Sequence, residues 1–253
     1  MNKIMILLVA LVFTSSPAFA FFTNLGFETG DTSGWTIDKD YSVISSYTGQ
    51  FNNTSDWEAD IPFYGDYSLL LGSPGVGNEY DHAHQGKASQ IAAISHADIV
   101  SGLDLYLEWG AILEEPTNAV VHTKDEQPYF SIAVSSSDDD GATWSSLYYA
   151  NQYANESGLT YLGTNARGAS GNIWYGSGST IIDLAGLSEG DLLKIKLFVR
   201  DCGEGGHGGL AFFDAYAAST QVPEPNTLFL FGAGLGGLLA FTGFRKISLR
   251  SVI

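Results

Sequence analysis

The run Leu192-Leu193-Lys194-Ile195-Lys196-Leu197-Phe198-Val199-Arg200 alternates with a period of two. Only an extended chain sends successive side chains to opposite faces. The run therefore predicts a strand whose Leu193, Ile195, Leu197 and Val199 meet a core while Lys194, Lys196 and Arg200 meet water. Asp104–Trp109 and Tyr129–Val134 alternate in the same way, and Tyr67–Leu71, Thr180–Leu184 and Leu210–Tyr216 are shorter strand patterns. Turn-forming clusters separate them: Thr29-Gly30-Asp31, Gly72–Gly75, Asp138–Gly141, Gly168–Gly178 and Gly203–Gly209. No long amphipathic helical pattern interrupts residues 21–221. The expectation is an all-β body, an antiparallel β-sandwich of jelly-roll type with about eight or more strands.

The ends have a different character. Residues 1–20 carry Lys3, an apolar run from Ile4 to Phe13, a break at Pro17, and small residues at Ala18 and Ala20. This is the order of a secretory signal peptide, with cleavage expected after Ala20 by signal peptidase following passage through the Sec translocon. The body, 21–221, holds 27 of the 28 acidic residues and only seven basic ones: Lys39, Lys87, Lys124, Arg167, Lys194, Lys196 and Arg200. So negative a body repels nucleic acid and anionic lipid, which argues against a phosphate-binding role and suits divalent cations, neutral glycans or simple solubility. Its one cysteine, Cys202, excludes an internal disulfide framework.

The phrase Asn24-Leu25-Gly26-Phe27-Glu28-Thr29-Gly30-Asp31-Thr32-Ser33-Gly34-Trp35 resembles the opening of galactose-binding-like jelly rolls, the fold of many carbohydrate-binding modules. Gly65–Leu71 and the apolar run Leu210–Ala217, with its single Asp214, complete the resemblance. It implies a first strand with Phe27 inward, a Trp35 that closes the sandwich, and a last strand beside the first. It also implies a structural Ca²⁺ with Glu28 and Asp214 as side-chain ligands and a backbone carbonyl from Gly65-Asp66-Tyr67. Hard oxygen ligands suit that ion. The alternative is that Glu28 caps a turn and Asp214 pairs with a basic residue.

Other clusters have blander readings. Ser137-Asp138-Asp139-Asp140-Gly141-Ala142-Thr143-Trp144 matches an Asp-box, a hairpin turn in which Asp139 accepts backbone N–H groups, Gly141 takes a positive φ and Trp144 packs beneath. His82 and His84 would share one face of a strand, but an exposed loop is the simpler expectation. Cys202 and His207 flank a glycine loop, and five-residue spacing does not establish a thiol–imidazole dyad. Acid pairs such as Glu114-Glu115 and Asp125-Glu126 are too numerous to single out a general acid. Aromatic residues expected in or near loops, Trp57, Tyr148, Tyr149, Tyr153, Trp174 and Tyr175 among them, could stack on sugar rings, with amide and carboxylate side chains bonding the hydroxyls.

Residues 222–250 form the last unit. Pro223-Glu224-Pro225 is followed by Thr227–Phe244, eighteen residues without a charge, and then by Arg245, Lys246 and Arg250. As a helix the apolar stretch spans about 27 Å, just enough for a bilayer core. The basic stop at 245–250 places the tail on the cytoplasmic side. The layout resembles the PEP-CTERM sorting signal of Gram-negative bacteria that make exopolysaccharide. The resemblance implies recognition by an exosortase, passage through the inner membrane, removal of the helix, and delivery to the cell surface or matrix. The functions in view are a non-enzymatic module that binds exopolysaccharide or another glycan, a secreted carbohydrate-active enzyme, and a permanently anchored structural protein with no specific ligand.

Overall fold

The computed structural model describes residues 21–49, 57–59, 63–73, 85–116, 123–154, 156–164, 171–202 and 207–219. Contacts divide the chain into Met1–Ala218 and Ser219–Ile253, and the fold below is that of the first unit. The expected signal peptide at 1–20, the motif at 223–225 and the apolar segment at 227–244 lie outside the described residues. Among the described residues no helix is long and apolar enough to cross a membrane.

Thirteen strands follow in chain order: β1 Thr36–Asp38, β2 Tyr41–Ile44, β3 Tyr47–Gly49, β4 Trp57–Ala59, β5 Ser68–Ser73, β6 Gln85–Ala93, β7 Leu103–Pro116, β8 Tyr129–Ser137, β9 Ser145–Tyr153, β10 Thr160–Thr164, β11 Gly171–Asp183, β12 Leu192–Arg200 and β13 Gly209–Ser219. Among the described residues one short helix, α1 (His96–Val100), joins β6 to β7 and is held by a capping box between Ser95 and Asp98. Two sheets face each other as a jelly-roll β-sandwich. The first has the order β1-β6-β12-β8-β9 with every pairing antiparallel. The second has the order β10-β11-β7-β13-β5-β2, and β3-β4 is a separate hairpin.

The alternation in β12 does what the sequence predicts. Leu193, Ile195, Leu197 and Val199 are all buried, and Phe130, Ile132 and Val134 of β8 bury in register beside them. They meet Leu105, Leu107 and Trp109 of β7 and Ala211, Phe213 and Ala215 of β13 in one core. Burying each large side chain contributes roughly 1.5–3 kcal/mol, so this double layer is the main stabilising element. A second, smaller cluster lies on the other face of the second sheet: Ile112, Ile173, Leu210 and Phe212, covered by Tyr47, Phe63 and Leu70 among others.

Three expectations are corrected. Gly168–Gly178 is not a turn cluster, because its described part belongs to the thirteen-residue strand β11. Its glycines mark close approach: a Cβ at 178 would lie 2.7 Å from the Trp109 ring, so that indole requires a bare backbone there. Tyr148, Tyr149 and Tyr153 are not in loops but on β9. The opening phrase does not form a strand. Residues 21–35 run as turns and bends, and Phe27 sits at φ 60°. Phe27 and Trp35 nevertheless reach the core, 6.4 Å and 5.7 Å from the Phe213 ring on β13.

Candidate functional site

Alternation and register define what each sheet shows to solvent. Across the first sheet the outward rows read Gln85, Arg200, Tyr129, Tyr153; then Lys87, Phe198, Ser131, Asn151; then Ser89, Lys196, Ala133, Tyr149; then Ile91, Lys194, Ser135. Strands lie about 4.8 Å apart and successive outward residues about 7 Å apart, so the rows form a compact grid. Its aromatic part centres on Tyr129. The Tyr153 ring is 4.6 Å away and the Phe198 ring 6.1 Å away, and the Tyr129 and Tyr149 hydroxyls share a hydrogen bond at 2.7 Å. That bond, then burial, pushes the Tyr149 phenol up to about 12, so it stays neutral at working pH. The Tyr149 ring is still 57 % exposed. Ser131, Ala133 and Ser135 keep the middle strand low between Tyr149 on one side and the Lys194–Arg200 row on the other.

Of the aromatic residues expected to meet a ligand, the structure brings only Tyr149 and Tyr153 onto this face. Tyr148 is sent inward by the period of two, and its hydroxyl accepts the Trp109 indole N–H at 3.3 Å. Trp174 and Tyr175 belong to β11 of the other sheet, where Tyr175 packs in the second cluster and Trp174 lies 5.3 Å from the Tyr161 ring. Trp57 starts β4, and its side chain lies outside the described residues. Tyr129 and Phe198, which were not among the aromatic residues expected to meet a ligand, join Tyr149 and Tyr153 on this face. Both were legible as outward positions of alternating strands, since Phe198 takes the parity of Lys194 and Lys196.

Glu28 and Asp214 line a single cleft of about 430 Å³ together with Phe22, Tyr64 and Tyr216. Asp214 is fully buried and accepts the backbone N–H groups of Tyr64 and Ala215, each at 2.7 Å. Burial, reinforced by Glu28 and Glu108, pushes its carboxyl up to about 7 against those bonds. Glu28 accepts the N–H groups of Asp66 and Tyr67 at 3.0–3.2 Å and so clamps that turn. Carboxylate oxygens accept more than one bond each, so both groups keep lone pairs for a cation. They number two, and no group of three or more His, Cys, Asp or Glu suited to a metal occurs among the described residues. Calcium takes six to eight oxygens, so carbonyls and water would complete the shell.

The Asp-box turn joins β8 to β9. Asp139 accepts the Thr143 N–H at 2.8 Å and the Thr143 and Ser137 hydroxyls at 2.6 and 2.7 Å, Gly141 has φ +85°, and the Trp144 N–H donates to the Gly141 carbonyl at 3.0 Å. Cys202 Sγ and His207 Nδ1 do come together, at 3.2 Å, but both are buried and neither opens on the cleft or the outward grid. His82 and His84 lie outside the described residues.

Residues 221–246 match the PEP-CTERM protein-sorting motif, so the chain carries a signal for export through an exosortase to the cell surface. No curated protein matches the chain. Among solved structures, it is similar to the carbohydrate-binding module CBM27-1 of Caldicellulosiruptor saccharolyticus in complex with mannohexaose, at 14 % identity and TM-score 0.36, covering 78 % of this chain and 96 % of that one. It is also similar to a non-crystalline cellulose-specific module, CBM28, at 15 % identity, TM-score 0.33 and coverage of 75 % and 89 %. A mannan-recognising module, TmCBM27, follows at 10 % identity, TM-score 0.31 and coverage of 76 % and 95 %. At these scores the likeness carries no residue-by-residue correspondence.

Proposed function

We propose that this is a non-enzymatic glycan-binding module that its sorting signal delivers to the cell surface or extracellular matrix, and that the outward grid of the first sheet is its binding face. The observation that carries the reading is the exposed Tyr149 set among the half-buried rings of Tyr129, Tyr153 and Phe198 on the outer face of one sheet, with Gln85, Ser131 and Asn151 between the rings. Aromatic faces stack on the apolar faces of sugars, and amide and hydroxyl groups bond the ring hydroxyls. Anchoring rings in a packed sheet also lowers the ordering cost of binding. A structural Ca²⁺ at Glu28 and Asp214 belongs to the same proposal. It would neutralise two carboxylates that line the same cleft.

The test is affinity electrophoresis against a panel of polysaccharides, followed by a reducing-sugar assay on every polysaccharide bound. Binding without turnover is expected, with a loss of about tenfold or more on substitution of Tyr149 and Tyr153 by alanine. Turnover would identify a carbohydrate-active enzyme instead. A blank panel would leave a structural protein without a specific ligand.

A further inference from the structure

The net charge of the body points to neutral glycans, but the distribution of that charge does not. Of the seven basic residues in 21–221, Lys87, Lys194, Lys196 and Arg200 all project from the outward grid, and Lys124 lies 4.3 Å from the Tyr153 ring at its edge. The strands β6, β8, β9 and β12 contain no Asp or Glu at all. In a chain with 28 acids and 11 basic residues, that is a strong local inversion of sign. Lys87, Lys194, Lys196 and Arg200 form no ion pair among the described residues, whereas Lys124 pairs with Glu156 at 3.3 Å. The acids nearest the grid sit at its margins: Asp38 on the edge strand in register with Lys87, Glu156, which accepts the Tyr153 N–H at 3.3 Å and pairs with Lys124, and the hairpin carboxylates Asp138, Asp139 and Asp140 beyond Ser137.

The cations are also placed on the rings. Lys87 lies 5.7 Å from the Phe198 ring, Arg200 5.5 Å from Tyr129, and Lys194 3.3 Å from Trp144. These contacts are made by the charged heads themselves, so the rings fix where each cation sits on the face. A face built for neutral sugars has no use for this concentration of charge. The cations occupy separate rows about 7 Å apart and do not converge on one point. This spacing fits single charges repeated along a chain better than a compact polyvalent group such as phosphate.

We propose, on the premise that the outward grid is a glycan-binding face, that its ligand is an acidic polysaccharide bearing carboxylates, with a sugar ring on the exposed Tyr149 and carboxylates on Lys87, Lys194, Lys196 and Arg200. The strongly negative remainder of the body repels such a polymer and so confines it to this one face.

The experiment measures binding of the full chain, in mild detergent, to polygalacturonate, dextran sulfate and neutral dextran. The comparison variants are Lys87→Gln/Lys196→Gln and Tyr149→Ala, all at exposed positions. Polygalacturonate is expected to bind, to weaken about tenfold between about 50 and 500 mM salt as screening sets in, and to weaken about tenfold or more in each variant. Neutral dextran bound equally well, with the lysine variant unchanged, overturns the acidic ligand and leaves the glycan reading standing. Dextran sulfate bound in preference to polygalacturonate overturns the assignment of carboxylates. Binding to none of the three overturns this proposal, while the wider polysaccharide panel decides the glycan reading separately.

Discussion

The two sheets of this sandwich share a core but treat their outer faces in opposite ways. The first leaves its outer face open, with the exposed Tyr149, four basic side chains and no acid in its four long strands. The second covers part of its outer face with a further apolar cluster and holds carboxylates there: Glu114 and Asp214 are fully buried, and Asp214 feels Glu28 and Glu108. An antiparallel sheet can keep one face wet, and it becomes a two-sided buried layer only where something lies across it. The difference separates the two surfaces. One outer face is largely uncovered, while the other is partly covered by packing and holds buried carboxylates.

The most direct way to break this comparison is to treat both outer faces as surface. Phe212 points outward from β13 yet is 0 % exposed. Phe212→Ala should therefore cost about 3–5 kcal/mol in denaturant unfolding, as a core deletion does. Tyr149→Ala on the open face should stay within about 1 kcal/mol. Equal, small losses would show that the second sheet is as open as the first.

A smaller effect separates the faces by charge. The Asp214 carboxyl, raised to about 7 chiefly by burial, lies above its ordinary value of 3.8. Between those values the folded protein holds a proton that the unfolded chain has lost, so this group's contribution to stability falls as pH rises from about 4 to about 7 and is then constant. A bound cation replaces that proton and needs the ionised form. Millimolar calcium should thus raise the melting temperature over a chelated sample at pH 8, raise it less at pH 5, and leave Asp214→Asn unaffected at both. No calcium effect at pH 8 removes the ion from the proposal.

How much of this could be read in the sequence depends on whether a residue's partner is local. The inward face of β12 was legible because Leu193 to Val199 carry their own period. The strand β9 was not, because its inward residues, Tyr148, Ala150 and Gln152, make no apolar alternation at the edge of a sheet. In β11 the glycines look like turn formers until Trp109, far away in sequence, is seen lying on Gly178. Glu28 and Asp214 line one cleft, although the strand expected to carry Glu28 is a run of turns. The basic grid escaped because net charge averages over a whole body, whereas alternation and strand pairing sort its charges by face.

The smallest expected effect lies at the hairpin that supports the open face. Asp139 is held down to about 2 by the Thr143 hydroxyl and N–H and by the Ser137 hydroxyl. Its folded value lies below the unfolded one, so its contribution is present above about 4 and is lost as pH falls toward 2. Asp139→Asn should lower the melting temperature modestly at pH 6, and the gap to the parent should close near pH 2, where the parent's carboxylate is itself protonated. The turn connects β8, which carries Tyr129, to β9, which carries Tyr149 and Tyr153. Loosening it should therefore weaken glycan binding at pH 6 without changing the calcium response at Asp214, which sits on the other sheet. A variant that lost both together would show that the faces are coupled through the core and do not act separately.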